Sequence, residues 1–208
     1  MEDVVRFRGM TIRQKIIQVG QTKKIFRVQD IDANPETVRK ELLRLVKRDQ
    51  LERVGYGLYT LKGAEYSETQ SLVEIAVKAP SAVVCLISAL RFHNLTTQNP
   101  FEVWIAIPRS SWIPKIETTR TRIFRFAKTV YEDGIEHHFI DGVDIKIYSP
   151  AKTIADCFYY QKTVGLDVAL EALRDAWRAR QITMDELYHF AEVRNVKSTM
   201  LPYLATLT

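Results

Sequence analysis

Several things are missing from this sequence of 208 residues, and each absence removes a class of function. No run of about 18 apolar residues occurs, so a membrane-spanning helix is not expected. The first twenty residues lack the basic start and apolar core of a secretory signal, which points to a cytoplasmic protein. Cysteine is scarce: Cys85 and Cys157 are far apart within apolar helical patterns, which predicts two buried thiols rather than a disulfide framework or a zinc site. No P-loop, no Gly-x-Gly-x-x-Gly and no Gly-x-Ser-x-Gly elbow is present, so neither a nucleotide cofactor nor a nucleophilic serine is indicated. The four histidines, His93, His137, His138 and His189, include no His-x-x-x-His pair. His137 and His138 are adjacent on an expected strand and point to opposite faces. The reading is of a protein that is not an enzyme and needs no cofactor or metal.

What is present is positive charge, and it is unevenly placed. Residues 1–62 hold 14 Lys and Arg against 8 Asp and Glu, whereas residues 63–208 hold 16 against 17. The whole excess therefore falls in the first third of the chain, the arrangement of a module whose partner is a polyanion.

The same 62 residues have a readable order of elements. Ile12, Ile16 and Val19 recur at helical spacing before a Gly20-Gln21-Thr22 break, and residues 28–31 form a second short helical segment. Asn34 and Pro35 are a cap and a first-position proline, opening a third helix over residues 35–49. Two short strands, 51–54 and 58–61, then flank Gly55-Tyr56-Gly57. Three helices followed by a hairpin is the order of a winged helix-turn-helix. On the third helix Val38, Leu42, Leu45 and Val46 cluster on one side, with Thr37, Lys40, Arg44 and Lys47 nearly opposite. Thr37, Arg39 and Lys40 are expected to reach base edges in the major groove, and Arg44 and Lys47 to meet phosphates. Arg53 and Tyr56, at the hairpin tip, are the remaining candidate DNA contacts.

Polar residues 62–71 read as a linker, giving domains of residues 1–62 and 63–208. The second is expected to be α+β, with helices at 72–78 and 83–93 and strands at 102–107 and 121–126. A hairpin over 136–148 turns at Asp141-Gly142, and four C-terminal helical stretches follow. The first opens on Ser149-Pro150, and Thr183 with Glu186 has capping-box spacing. The expected sheet is small and largely antiparallel. Asp144-Ile145-Lys146 has the carboxylate and amine of magnesium nucleases, but strand alternation explains both as solvent-facing, and only Asp133 and Asp141 stand close upstream as a second carboxylate.

Assembled, the chain resembles the AbiEi family, the antitoxin half of type IV toxin-antitoxin systems. The resemblance lies in Leu51-Glu52-Arg53-Val54 through Gly57-Leu58-Tyr59, in Val84 to Leu90 with His93 to Gln98, in Glu102 to Ala106, and above all in Tyr148 to Phe158 followed by Gly165 to Leu173. One departure is the Asp32-Ala33-Asn34 turn, which has no glycine. The resemblance implies a repressor that binds double-stranded DNA, an operator near its own gene, and that counteracts a nucleotidyltransferase toxin; it brings no catalytic residues. Two other readings are an interaction module that neutralises a partner with DNA binding secondary, and a magnesium-dependent nuclease using Asp144 and Lys146.

Overall fold

Thr11 begins the first helix by a reciprocal cap: its hydroxyl accepts from the Gln14 amide at 3.3 Å, and the Gln14 side chain accepts from the Thr11 amide at 2.8 Å. The computed structural model describes residues 10–23, 25–63, 68–114, 116, 119–141 and 143–207. It divides into two compact units, one of residues up to 77 with 140–143 and one of residues 78–139 with 144–208.

In the first unit α1 (Ile12–Thr22) continues through the break expected at Gly20. Gly20 is buried inside the helix because a Cβ there would meet Leu61 Cγ at 2.8 Å and Phe26 Cε1 at 3.0 Å. Close approach, rather than helix termination, accounts for this glycine. A single 3-10 turn (Val28–Asp30) is the second helical segment, closed by the Asp30 carboxylate, which accepts from the Arg27 amide at 2.7 Å and from Lys23 Nζ at 2.6 Å. Burial opposes ionisation of Asp30, but these two bonds and the nearby positive charges outweigh it and hold the carboxyl below its ordinary range.

Helix α2 (Pro35–Lys47) starts as the sequence indicates. Asn34 Oδ1 accepts from the amides of Glu36 and Thr37 at 3.0 and 3.3 Å, with Pro35 at the first helical position. It ends before Asp49, whose φ of 57° leaves the helical region. Strands β1 (Leu51–Gly55) and β2 (Leu58–Leu61) pair antiparallel, with a register shift between Arg53 and Gly55. At their tip Gly57 has a φ of +70°, which a side chain would strain. Phe26 adds a bridge to the other side of β2, exchanging two 3.0 Å backbone hydrogen bonds with Tyr59. Ile16, Phe26, Ile31, Val38, Leu42, Leu45, Leu51 and Tyr59 form the core. The unit then runs past the expected boundary at residue 62, through α3 (Glu68–Lys78), to Val77. This helix begins inside the stretch expected to be a linker, and Gln70 Nε2 donates to Thr60 Oγ1 at 3.0 Å.

The second unit is built on a five-stranded sheet in the order β5-β4-β3-β7-β6. The strands are β3 (Val83–Val84), β4 (Val103–Pro108), β5 (Thr121–Phe126), β6 (Ile135–Ile140) and β7 (Val143–Tyr148). The sheet is mixed, not largely antiparallel: β3 is antiparallel to β4 but parallel to β7, and β4 is parallel to β5 over six register pairs from Val103↔Thr121 to Pro108↔Phe126. Val83–Val84 is a strand at the centre of the sheet, not the start of a helix as the sequence suggests. Both are buried, and a short run apolar on every side has no period to separate strand from helix. The helix there is the shorter α4 (Leu86–Phe92). An unexpected one-turn helix, α5 (Lys128–Glu132), precedes β6. The hairpin turn falls as expected after Ile140, its Gly142 lying outside the described residues.

Five helices rather than four follow: α6 (Pro150–Tyr159), α7 (Gln161–Val164), α8 (Leu166–Arg178), α9 (Met184–Val193) and α10 (Lys197–Leu204). Ser149 caps α6, and the Thr183–Glu186 box caps α9. Every residue of α6 from Ala151 to Phe158 is buried, Lys152 and Asp156 included. Lys152 Nζ lies 2.7 and 2.6 Å from the two Asp156 oxygens, and Arg194 Nε lies 2.6 Å from Oδ1 without the alignment of a hydrogen bond. The guanidinium rests over the rings of Tyr159 at 4.1 Å and Phe126 at 4.6 Å. Cys85 and Cys157 are buried and unpaired, and burial pushes both thiols far above their ordinary range. Among the described residues no helix is long and apolar enough to cross a membrane.

Candidate nucleic-acid interface

All seven residues singled out in the sequence, Thr37, Arg39, Lys40, Arg44, Lys47, Arg53 and Tyr56, are exposed. They do not form one patch. With 100° per residue, the buried arc of α2 is centred on Val38, Leu42 and Leu45, and the middle of the outward side is Glu36, Lys40, Leu43 and Lys47. Thr37 and Arg44 lie toward one margin and Arg39 toward the other.

The Arg39 margin faces the hairpin. There a concavity of about 610 Å³ is lined by Arg27, Pro35, Arg39, Leu43, Arg53 and Tyr56, with Val28, Gln29, Gly57 and Tyr59 completing its walls. Arg53 is held over the tip, its Nε donating to the Gly55 carbonyl at 3.1 Å and its guanidinium 5.6 Å from the Tyr56 ring centroid. Tyr56 is 95% exposed, so its ring does not fold back on α1. The structure thus joins Arg39 to Arg53 and Tyr56, and leaves Lys40, Arg44 and Lys47 along the rest of the helix face. The Thr37 hydroxyl reaches Asn34 Oδ1 at 3.5 Å and belongs in part to the helix cap.

Electrostatics sharpen this division. Arg44 is paired with Glu41 at 3.3 Å, as Lys62 is with Asp49 at 3.1 Å. Within the described residues Arg39, Lys40 and Lys47 are not paired with a carboxylate, so their charge is directed to solvent or to a ligand.

Two lining residues escaped the sequence reading. Arg27 is brought to the concavity by the Phe26–Tyr59 bridge, a long-range pairing with no local signal. Leu43 was legible: it is an apolar residue one helical step outside the buried arc.

In the second constellation, on β6 and β7, the carboxylate and the amine each have a partner of their own. Asp144 is bound by His137 Nδ1 at 2.9 Å, and Lys146 Nζ donates to the Pro80 carbonyl at 3.1 Å. Asp133, the upstream carboxylate, pairs with His189 at 2.7 Å. His138 lies against Phe92, ring centroids 4.7 Å apart, and meets Glu136 at 3.2 Å. Among the described residues no three His, Cys, Asp or Glu side chains are grouped to hold a metal ion.

No protein-family model and no curated protein sequence matches the chain. Among solved structures, its fold is similar to that of the RV2827C protein from Mycobacterium tuberculosis, with a TM-score of 0.54 at 11% identity, over 89% of this chain and 72% of that one. At that identity the likeness speaks for the fold alone.

Proposed function

We propose that residues 1–62 act as a winged helix-turn-helix and that the protein is a sequence-specific DNA-binding transcriptional regulator rather than an enzyme. The observation that carries this reading is the convergence of Arg39, on a capped helix, with Arg27 and with Arg53 of the adjoining hairpin around one concavity. In this reading α2 enters the major groove by its N-terminal half and β1–β2 lies along the flanking backbone or minor groove. A sugar–phosphate strand along the hairpin side of the concavity would be gripped by Arg27, Arg39 and Arg53, leaving the outward face of α2 to the bases. Arg39, expected from the sequence to read bases, is reassigned here to the backbone on account of its place beside Arg53.

The resemblance to AbiEi proteins extends the proposal: an autorepressing antitoxin whose partners are an operator near its own gene and a nucleotidyltransferase toxin. The neighbouring gene and a toxicity-rescue assay test that extension separately from DNA binding.

The direct test is a gel shift on DNA from upstream of the gene and on a scrambled duplex. Lys40 stands in the second turn of α2, where a side chain reaches base edges. Lys40→Ala should therefore lose about 1–3 kcal/mol on the operator and little on the scrambled duplex. Arg44 is one turn further along, and Arg44→Ala should weaken both duplexes alike. The reverse pattern would invert the docking orientation, and wild-type protein that shifts neither duplex would refute DNA binding.

A further inference from the structure

Leu43 is out of keeping with its surroundings. Val38, Leu42 and Leu45 are each 0% exposed, whereas Leu43 is 53% exposed, between Arg39 one turn before it and Lys47 one turn after it. It contributes an aliphatic side chain to the concavity beside Arg39 and Tyr56. A face whose ligand is a polyanion gains nothing from leucine if it touches only phosphate, because the side chain has neither charge nor donor. In the major groove an aliphatic group does have one matching partner, the 5-methyl of thymine, which is the apolar group presented on a base edge there.

We propose that Leu43 is a specificity-determining residue that packs on a pyrimidine 5-methyl group, a thymine in ordinary duplex DNA. The inference rests on the DNA-binding reading above. Its placement follows from the helix: Leu43 is three residues beyond Lys40, about 4.5 Å along the axis, little more than the roughly 3.4 Å between successive base pairs. The methyl should therefore belong to a base one or two steps from the one that Lys40 meets. Arg39 and Lys47, flanking Leu43 on the same face, provide the charge that holds the helix in the groove while the leucine makes the apolar contact.

The test uses the full chain. A pool of randomised duplexes is taken through rounds of binding, and each thymine of the enriched sequence is then replaced singly by deoxyuridine, which removes the methyl and keeps the pairing. Wild-type affinity, followed by fluorescence anisotropy, should drop about fourfold at one position per bound protomer, the equivalent of burying one methyl-sized group. Leu43→Ala should bind the thymine and uracil duplexes equally. Leu43 is outside the core, so this variant keeps the fold, and circular dichroism verifies it. Wild-type binding that is insensitive to every thymine-to-uracil change, or an unaltered thymine-to-uracil ratio in Leu43→Ala, overturns the role of Leu43 while leaving DNA binding in place. Failure to enrich or bind any duplex overturns the DNA-binding reading itself.

Discussion

Replacing Asp156 by alanine should destabilise the second unit by about 3–5 kcal/mol, the scale on which one member of a buried charge cluster is lost. Lys152 and Asp156 are wholly inside the protein, and Arg194 is only 7% exposed. Burial raises the Asp156 carboxyl and lowers the Lys152 amine from their ordinary values, so each charge is held at a cost that the partner's proximity offsets. Without the carboxylate, Lys152 Nζ keeps only the ring faces of Tyr148 and Phe126, and Arg194, whose Nε and Nη2 already lack hydrogen-bond partners, loses its counter-charge. Domains have about 5–15 kcal/mol of stability in all, so such a loss brings this one near its unfolding threshold at 37 °C. Thermal melting checks it. At roughly 2–4 °C per kcal/mol for a chain of this size, the midpoint should fall by about 6–20 °C. Asp144→Ala, which removes an exposed carboxylate, should change it little. Equal and small shifts for the two variants would show that the cluster contributes nothing. Joint replacement of Lys152, Asp156 and Arg194 by methionine, leucine and methionine should recover much of the loss, because it removes the desolvation cost of all three charges together with their attraction.

Affinity for duplex DNA should fall roughly 500-fold between about 50 and 200 mM salt. The proposed docking sets Arg27, Arg39, Arg44, Lys47 and Arg53 against phosphates, and five displaced counterions give a log–log slope of about −4.5. Removing Arg39 and Arg53 together should reduce that slope by about two, and should weaken operator and scrambled DNA in parallel because phosphates have no sequence. Both side chains are exposed, so the double variant remains folded. Fluorescence anisotropy at four or five salt concentrations measures the slope directly. A slope near zero in wild type would refute a phosphate-gripping interface, and an unchanged slope in the double variant would place the grip elsewhere on the chain.

Local chemistry made parts of this structure legible in the sequence. Asn34-Pro35, Ser149-Pro150 and the Thr183–Glu186 box each satisfy orphan amides with a neighbouring side chain, so a span of four residues suffices to reveal them. The alternation of Val143, Ile145 and Ile147 likewise marks β7 from within. What depends on distant partners could not be read. The parallel pairing of β4 with β5, the central place of Val83–Val84 and the delivery of Arg27 by the Phe26–Tyr59 bridge are set by contacts across the chain. Gly20 shows the limit in the other direction: glycine's local meaning is a break, and only the approach of Leu61 explains why it is kept inside a helix. In the candidate site the helical period marks the exposed charged residues of α2, and the same period places the apolar Leu43 among them.

The order of the sheet has a colloidal consequence. β5 is a border strand, the position from which sheets add further chains, and Thr121-Arg122-Ile123-Phe124-Arg125-Phe126 has the β-branched and aromatic content of a self-associating segment. Two arginines interrupt it. Arg122 lies over the Trp104 ring at 4.6 Å, and Arg125 ties down the following turn of β4 by donating to the Arg109 and Ser111 carbonyls at 2.6 and 3.0 Å. A second molecule laid edge to edge would bring like charges together at both positions, so these two side chains act as gatekeepers that keep a crowded solution of this protein from zipping into fibres along β5.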